Sequence, residues 1–262
     1  MALQQLQKDY LIHVYEMGPD GRVNLHSLFN FMQDIAADHA DKLGYGRDDL
    51  MKSNHFWVLS RIFARFSEWP VWNESISVKT WPSGVDTIFA MRNYTLAFGD
   101  GRQIGSGSSS WLIIDRTTKK IQRPDEFLQN YSIDNQSIAK PLRNPVKLRV
   151  ASEKGVTSTA FRVKVNDVDI NLHTNNVNYL KWVTDTYDLS FVMNHRPCSA
   201  EINYLAEAIF DDEIVIRTSE EEGTNSFFNH SVIRTTDRKE LCRVRIEWEK
   251  LMVKPIYNRL HE

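Results

Sequence analysis

The sequence repeats one order of local signals, a helical stretch followed by several strand-like runs, and this repetition limits the fold more than any other feature. In residues 23–44 the apolar positions recur every three or four residues, a spacing that predicts an amphipathic helix. Gly44 follows as a natural helix stop. Residues 170–191 show the same spacing through Val177, Leu180, Val183 and Tyr187, which predicts a second helix.

Strand-like runs with alternating apolar residues follow both predicted helices. After the first helix they read FWVLSRIFARF, SISVKTW, FAMRNYTLAF and SGSSSWLIID, separated by the turn signals PSG, GDG and DRTTKK. After the second they read AEINYLAEA, DEIVIRTSEE, NSFFNHSVIRTTD and KELCRVRIEWEKL. ESISVKT at 74–80 and DEIVIRT at 212–218 take corresponding places. The predicted fold class is therefore α+β, with two similar units in tandem, each a helix wrapped by an antiparallel sheet.

The tripeptide Asn-Leu-His occurs at 24–26 and again at 171–173, and it offers a first alignment of the two halves. The offset of 147 residues between Asn24 and Asn171 places His26 opposite His173. Residues 134–147 are polar, contain two prolines and show no periodicity, so they are the best linker candidate. The predicted domains are thus 1–133 and 148–262.

Composition narrows the functional classes. Hydrophobic residues make up 42% and charged residues 25% of the 262 positions, which is typical of a globular protein. A net charge of -2 and the lack of a run of about 20 apolar residues predict neither a nucleic-acid partner nor membrane insertion. Two cysteines, Cys198 and Cys242, fit a reducing compartment, and MALQQLQKDY is unlike a secretory signal. The expected location is the cytoplasm.

Polar residues alternate just before the second predicted helix, as Asp169, Asn171 and His173. An extended conformation would place all three side chains on one side. Asn175 is a candidate helix cap, and the backbone N–H groups at a helix start can stabilise an oxyanion. This arrangement suits attack on a carbonyl group. The alternative is that the polar residues only make hydrogen bonds within a turn.

A second candidate is Glu207 in EINYLAEAIF, which could act as a general base or acid. The alternative is a solvent-facing strand glutamate, since glutamate is mostly exposed in proteins. The histidines show no metal-ligand spacing, and we find neither a glycine-rich phosphate loop nor a G-x-S-x-G motif. We therefore expect chemistry without a metal or cofactor.

Several long blocks resemble the acyl-acyl-carrier-protein (acyl-ACP) thioesterases, the plant plastidial enzymes and their bacterial relatives. These blocks are WVLSR at 57–61, WPVWNESISVKTW at 69–81, SSSWLIIDRTTKKIQRPDEF at 108–127, DINLHTNNVNYLKWV and INYLAEA. They occur in the same order over most of the chain. One departure is Ala208, because many plant members have a cysteine directly after the glutamate. A cysteine nucleophile is therefore not expected here.

The resemblance implies a double hotdog fold and hydrolysis of fatty acyl-ACP to free fatty acid, which ends chain elongation in fatty acid biosynthesis. It implies a catalytic group of Asp169, Asn171, His173 and Glu207. Backbone N–H groups near Asn175 and Asn176 would polarise the thioester carbonyl. The phosphopantetheine arm would belong to the carrier protein, so no cofactor of the enzyme is implied.

The family also implies that the first half binds the acyl chain. The candidates are Phe29, Met32, Phe56, Trp57 and Phe89, for each of which ordinary core packing is the alternative. An acidic carrier protein would need a basic surface, for which Lys119, Lys120 and Arg123 are one candidate. A homodimer stays open. Two other functions also stay open: a hotdog acyl-CoA thioesterase and a non-catalytic acyl-binding protein.

Overall fold

The computed structural model describes residues 5–127, 143–170, 172–221, 223–224 and 226–251. Its contacts divide the chain into two compact units. Unit 1 consists of Met1–Glu16 and Ser27–Pro145, and unit 2 consists of Met17–His26 and Val146–Glu262. The short segment Met17–His26 thus groups with unit 2, although the sequence placed it in the domain 1–133. The predicted linker at 134–147 lies mostly outside the described residues.

Unit 1 combines one long helix with an antiparallel sheet. Its helices are α1 (Leu25–Lys42, whose first two residues group with unit 2), α2 (Arg47–Lys52) and α3 (Pro124–Phe127). Its strands are β1 (Leu6–Leu11), β2 (His55–Phe66), β3 (Ser75–Asp86), β4 (Phe89–Phe98), β5 (Gln103–Asp115) and β6 (Ile121–Gln122). They lie in the order β1-β3-β4-β5-β2, and β6 pairs with β5.

Unit 2 repeats this plan with a shorter main helix. Its strands are β7 (Val156–Thr157), β8 (Phe161–Arg162), β9 (His195–Tyr204), β10 (Glu213–Glu220), β11 (Phe227–Arg234) and β12 (Glu240–Lys250). Its helices are α4 (Asn176–Thr184) and α5 (Leu189–Asn194). The strand order β7-β10-β11-β12-β9 matches that of unit 1, and β8 pairs with β10. The prediction of two α+β units in tandem is confirmed.

Helix α1 buries the face that the sequence predicts. Its buried positions include Leu28, Phe31, Ile35, Ala36 and His39. Phe29 meets Phe66 of β2 edge-on, with ring centroids 6.3 Å apart. A Cβ atom on Gly107 of β5 would lie only 2.9 Å from Met32 Cε, so this glycine allows α1 to pack closely on the sheet.

The second helix is shorter than predicted. Val177, Leu180 and Val183 are buried in α4, but the helix ends at Thr184 and Tyr187 lies beyond it. The hydroxyl groups of Thr184 and Thr186 donate to carbonyl oxygens three residues earlier, at 2.9 and 2.8 Å. Such side-chain bonds compete with the helical pattern of the backbone. The single helix predicted through Tyr187 is therefore wrong.

The PSG signal marks a bulge inside β3, where the sequence predicted a turn. Strand β3 runs through it to Asp86, and its register against β4 shifts between Pro82 and Gly84. Proline is tolerated here because Pro82 lies beyond Thr80, the last residue of β3 that β1 pairs. The chain reverses at Thr87, whose φ is 58°.

Residues 146–152, which we call the strap, cross the sheet of unit 2 and bond to one side chain after another. On β9, Glu201 accepts from Val146 N at 2.6 Å, and Asn203 Oδ1 accepts from Leu148 N at 2.7 Å. Asn203 Nδ2 donates to Val146 O at 3.0 Å. Arg243, Ser231 and Ser219 continue these contacts on β12, β11 and β10.

We expect Asn203→Leu to lower the free energy of unfolding by about 2 kcal/mol or more, because it leaves Leu148 N and Val146 O without the amide that pairs them. Urea unfolding of the whole chain would measure the change. Ser219→Ala is the matched control, since it removes one exposed strap contact and should change stability by less than about 0.5 kcal/mol. Equal stability of the two variants would contradict a docked strap.

Candidate active site

The candidate site in unit 2 centres on a tight turn, residues 168–174. Val168 and Thr174 form a β-bridge at its ends. Within it, Asp169 N donates to His173 O at 2.8 Å and Leu172 N donates to Asp169 O at 3.0 Å. Of the two conformations that the sequence leaves open, the described residues adopt the turn and not the extended one. The predicted site residue Asn171 lies outside the described residues.

The predicted cap of the following helix is confirmed. Asn175 Oδ1 accepts from Val177 N at 3.0 Å, and Asn175 N donates to Asp167 O at 2.9 Å. The amides of Asn175 and Val177 thus already have partners. The amide of Asn176 has no acceptor among the described residues, so of the two predicted oxyanion donors it is the better placed.

Glu207 reaches the turn from a different part of the chain. His173 Nε2 and Glu207 Oε2 lie 3.4 Å apart, with the two side chains 43% and 54% exposed. An ion pair this exposed contributes less than about 1 kcal/mol to stability. The contact places an imidazole beside a carboxylate, an arrangement that is able to move a proton.

Glu207 follows a strand, whereas the sequence placed it within one. Strand β9 ends at Tyr204, because Leu205 N and Ala206 N both turn to Leu241 O, at 2.9 and 3.1 Å. Thr174 N then donates to Ala208 O at 3.1 Å. This bond ties the segment that carries Glu207 to the turn that carries His173.

Two tyrosines that the sequence analysis did not identify hold these segments in place. Ala208 N donates to Tyr179 Oη at 2.7 Å, and Tyr204 Oη donates to Asn176 O at 2.9 Å. Burial raises the pKa of both phenols, so both stay protonated. Their only sequence signal is a place on a helix stripe and a strand, which also fits plain core packing.

The same turn occurs earlier in the chain, in residues 17–23, which form the first of the two copies; there Met17 and Val23 form the β-bridge. Gly18 N donates to Arg22 O at 2.6 Å and Gly21 N to Gly18 O at 3.1 Å, the same pattern as in the first-described turn. Gly21 and Leu172 share positive φ values of 77° and 64°. The turns lie 151 residues apart, as do the helix starts Leu25 and Asn176.

The alignment on Asn-Leu-His is therefore wrong by four residues. Asn24 precedes α1 as Asn175 precedes α4, so the structural counterpart of His173 is Arg22 and not His26. Glu207 also has a counterpart. Asn73 N donates to Ile12 O in the same way as Asp211 N donates to Val163 O. Aligning the two units on these bonds places Trp69 at the position of Glu207. Only the second copy brings an imidazole and a carboxylate together.

The five acyl-binding candidates have different environments. Phe29 and Met32 are fully buried in α1, whereas Phe56, Trp57 and Phe89 are partly exposed. Trp57 Nε1 donates to Tyr45 O at 2.8 Å. Because successive strand residues point to opposite faces, Phe56 and Trp57 cannot line the same face of β2. Their acyl-binding role stays a prediction.

In the part of the chain that the structure describes, no three His, Cys, Asp or Glu side chains are grouped as metal ligands. No helix in the same described stretches has the length and apolar character that crossing a membrane requires.

The fold and the turn together define a class, a double hotdog protein with a histidine–carboxylate pair beside a helix start. The acyl-ACP thioesterase N-terminal domain model matches residues 4–131, and the acyl-ACP thioesterase C-terminal domain model matches residues 150–250. The chain belongs to the acyl-ACP thioesterase family, which is a family of thioester hydrolases.

Individual relatives agree with this assignment. An oleoyl-acyl carrier protein thioesterase of Arabidopsis thaliana is 22% identical over 93% of this chain and 76% of its own length. An acyl-[acyl-carrier-protein] hydrolase of Cuphea viscosissima is 23% identical over 92% of this chain, which spans 62% of that relative. Both relatives are chloroplastic.

Solved structures show the same fold. The crystal structure of an acyl-ACP thioesterase from Bacteroides thetaiotaomicron superposes with a TM-score of 0.83 at 27% identity, over 94% of this chain and 98% of that one. The 12:0-ACP thioesterase of Umbellularia californica has a TM-score of 0.82 at 21% identity, over 96% of each chain. At that identity the second likeness concerns the fold alone.

Proposed function

We propose that this chain hydrolyses the thioester of a fatty acyl-ACP, releasing the free fatty acid and the carrier thiol. Such release ends chain elongation in fatty acid biosynthesis. The observation that carries the proposal is the His173–Glu207 pair beside a capped helix start, in a chain that matches both domains of the family.

In the proposed mechanism, water attacks the thioester carbonyl and gives its proton to the His173–Glu207 pair. The oxyanion that forms accepts from the amide of Asn176. The C–S bond then breaks, and the pair returns the proton to the departing thiolate. Asp169 Oδ1, which accepts from His173 N at 3.3 Å, fixes the backbone that carries the imidazole. Asn171 would position the water or the carbonyl.

The proposal also covers partners and location. The phosphopantetheine arm comes with the carrier protein, and the enzyme uses no cofactor or metal of its own. Lys119, Lys120 and Arg123 are exposed around the turn between β5 and β6, where they could face an acidic carrier protein. The proposed location is the cytoplasm, without membrane insertion, and a homodimer is compatible with the proposal.

Matched substrates test the proposal. We expect kcat/KM to be at least tenfold higher for an acyl chain on carrier protein than for the same chain on CoA, because the carrier adds protein–protein contacts that CoA lacks. Thiol release would be followed for both. Equal or better turnover of CoA would favour an acyl-CoA thioesterase, and binding without hydrolysis of either would favour an acyl-binding protein.

A further inference from the structure

The described residues of the two turns make the same backbone hydrogen bonds but carry very different side chains. The first reads Gly-Pro-Asp-Gly-Arg, at residues 18–22. It has proline and glycine where this kind of turn favours them, proline after the first residue and glycine at the left-handed position. The second copy has Ile170 and Leu172 in those two places.

Folding alone gives no reason for these substitutions. Leu172 has a φ of 64°, a conformation that glycine adopts without steric cost and leucine does not. Leu172 is also 76% exposed and Ile170 is 81% exposed. The first copy shows that a sequence with proline and glycine builds the same turn with less backbone strain. Strain of this kind, next to His173, is typical of residues kept for function.

Exposed apolar side chains also flank the other half of the polar pair. Leu205 and Ile209 lie two residues before and after Glu207 and are 46% and 50% exposed. We call Ile170, Leu172, Leu205 and Ile209 the apolar rim. A few polar groups among apolar side chains are the usual composition of a small-ligand site, and the apolar rim flanks His173 and Glu207 along the chain.

We propose that the apolar rim, and Leu172 above all, binds the methylene groups of the substrate on either side of the thioester and so positions its carbonyl at the His173–Glu207 pair. This inference rests on the function proposed above. The reacting carbonyl must reach His173, so the substrate atoms beside Leu172 are those bonded near the thioester. The folded part of the carrier protein lies farther away, at the other end of the phosphopantetheine arm.

Two variants of Leu172 test the inference. Leu172→Asn keeps a residue that tolerates the left-handed conformation but removes the apolar contact. We expect kcat/KM to fall about tenfold, mainly through KM, with no loss of thermal stability. Leu172→Met should recover most of this loss. Leu189→Asn, an exposed apolar position on α5 outside the rim, is the matched control.

Binding of a non-hydrolysable acyl-pantetheine thioether provides a second readout, independent of catalysis. We expect a Kd about tenfold weaker for Leu172→Asn than for the wild type. If the wild type hydrolyses acyl-ACP and the two proteins bind the thioether equally, this inference is overturned and the proposed function stands. If the wild type hydrolyses no thioester but the variant binds the thioether more weakly, the function fails and the rim remains an acyl-arm contact.

Misfolding of Leu172→Asn would not leave the question open. Leu172→Gly copies Gly21 at the same backbone position, so it relieves the strained φ and should be at least as stable as the wild type. Loss of thioether binding in this stable variant supports the rim. Unchanged binding overturns it.

Discussion

We expect Glu207→Gln to fold like the wild type and to hydrolyse acyl-ACP about 10²- to 10⁴-fold more slowly in kcat. Glutamine has the same shape and can still meet His173, but it cannot take up a proton. Glu207 is 54% exposed, so its replacement leaves no buried partner behind. The measurement is steady-state thiol release at saturating acyl-ACP.

Comparison with His173 shows whether the two groups act as one unit. His173→Ala should cost a similar factor, and the double variant should be little slower than the slower single variant, because groups that share one step are not additive. Glu249→Gln, which alters an exposed carboxylate paired with Arg196, is the control. If the kcat of Glu207→Gln lies within twofold of the wild-type value, Glu207 takes no part in the mechanism.

The second large effect that we expect is a loss of stability in acid, caused mainly by His230. This histidine is buried in unit 2, between Tyr187 Oη and Thr218 Oγ1, each 2.9 Å from one of its ring nitrogens. Burial lowers the pKa of His230 to about 3. In the unfolded chain its pKa is about 6.5. At a pH between these two pKa values, His230 binds a proton in the unfolded state but not in the folded state.

The sign follows from this difference. Stability falls as the pH drops below about 6.5, and the loss is complete near pH 3, for a total on the order of a few kcal/mol. His26 adds to the loss in the same direction, because burial and Lys181 lower its pKa to about 4. His230→Gln keeps a donor and an acceptor but does not titrate, so its stability should fall less steeply.

Urea unfolding at a series of pH values from 7 to 4 would measure the slopes. Ser219→Ala changes no titrating group and should follow the wild type across the series. If His230→Gln loses stability in acid as steeply as the wild type, His230 does not carry the effect.

The sequence predicts the fold well because the fold depends on periodicity. The eight strand-like runs after the two helices correspond to β2 to β5 and β9 to β12. The correspondence of 74–80 with 212–218 also holds, since all but the first residue of each run lie in β3 and β10, which take equivalent places in the two sheets. The edge strand β1 was missed, because LQKDYL gives only a short alternating pattern.

The site is less predictable because its geometry depends on hydrogen bonds between distant segments. Asp169 and Asn171 fit a turn as well as an extended segment, whereas Ile170 and Leu172 occupy positions where turns favour proline and glycine, so the sequence of DINLHT leaves both conformations open. Aligning the two Asn-Leu-His tripeptides gives the wrong correspondence, whereas aligning Asn24 and Asn175, which each directly precede a helix, gives the correct one. Contacts such as Ala208 with Tyr179, or His230 with Tyr187, join residues 29 and 43 positions apart.

The brevity of α4 has a consequence for the order in which the protein loses structure. A helix of nine residues, such as α4, is too short to be stable without tertiary contacts. The 18 residues of α1 approach the length at which a helix is stable in isolation. The proposed oxyanion donor at the start of α4 therefore depends on the packing of that helix against its sheet. On warming, local unfolding of α4 should abolish activity while most of the chain is still folded.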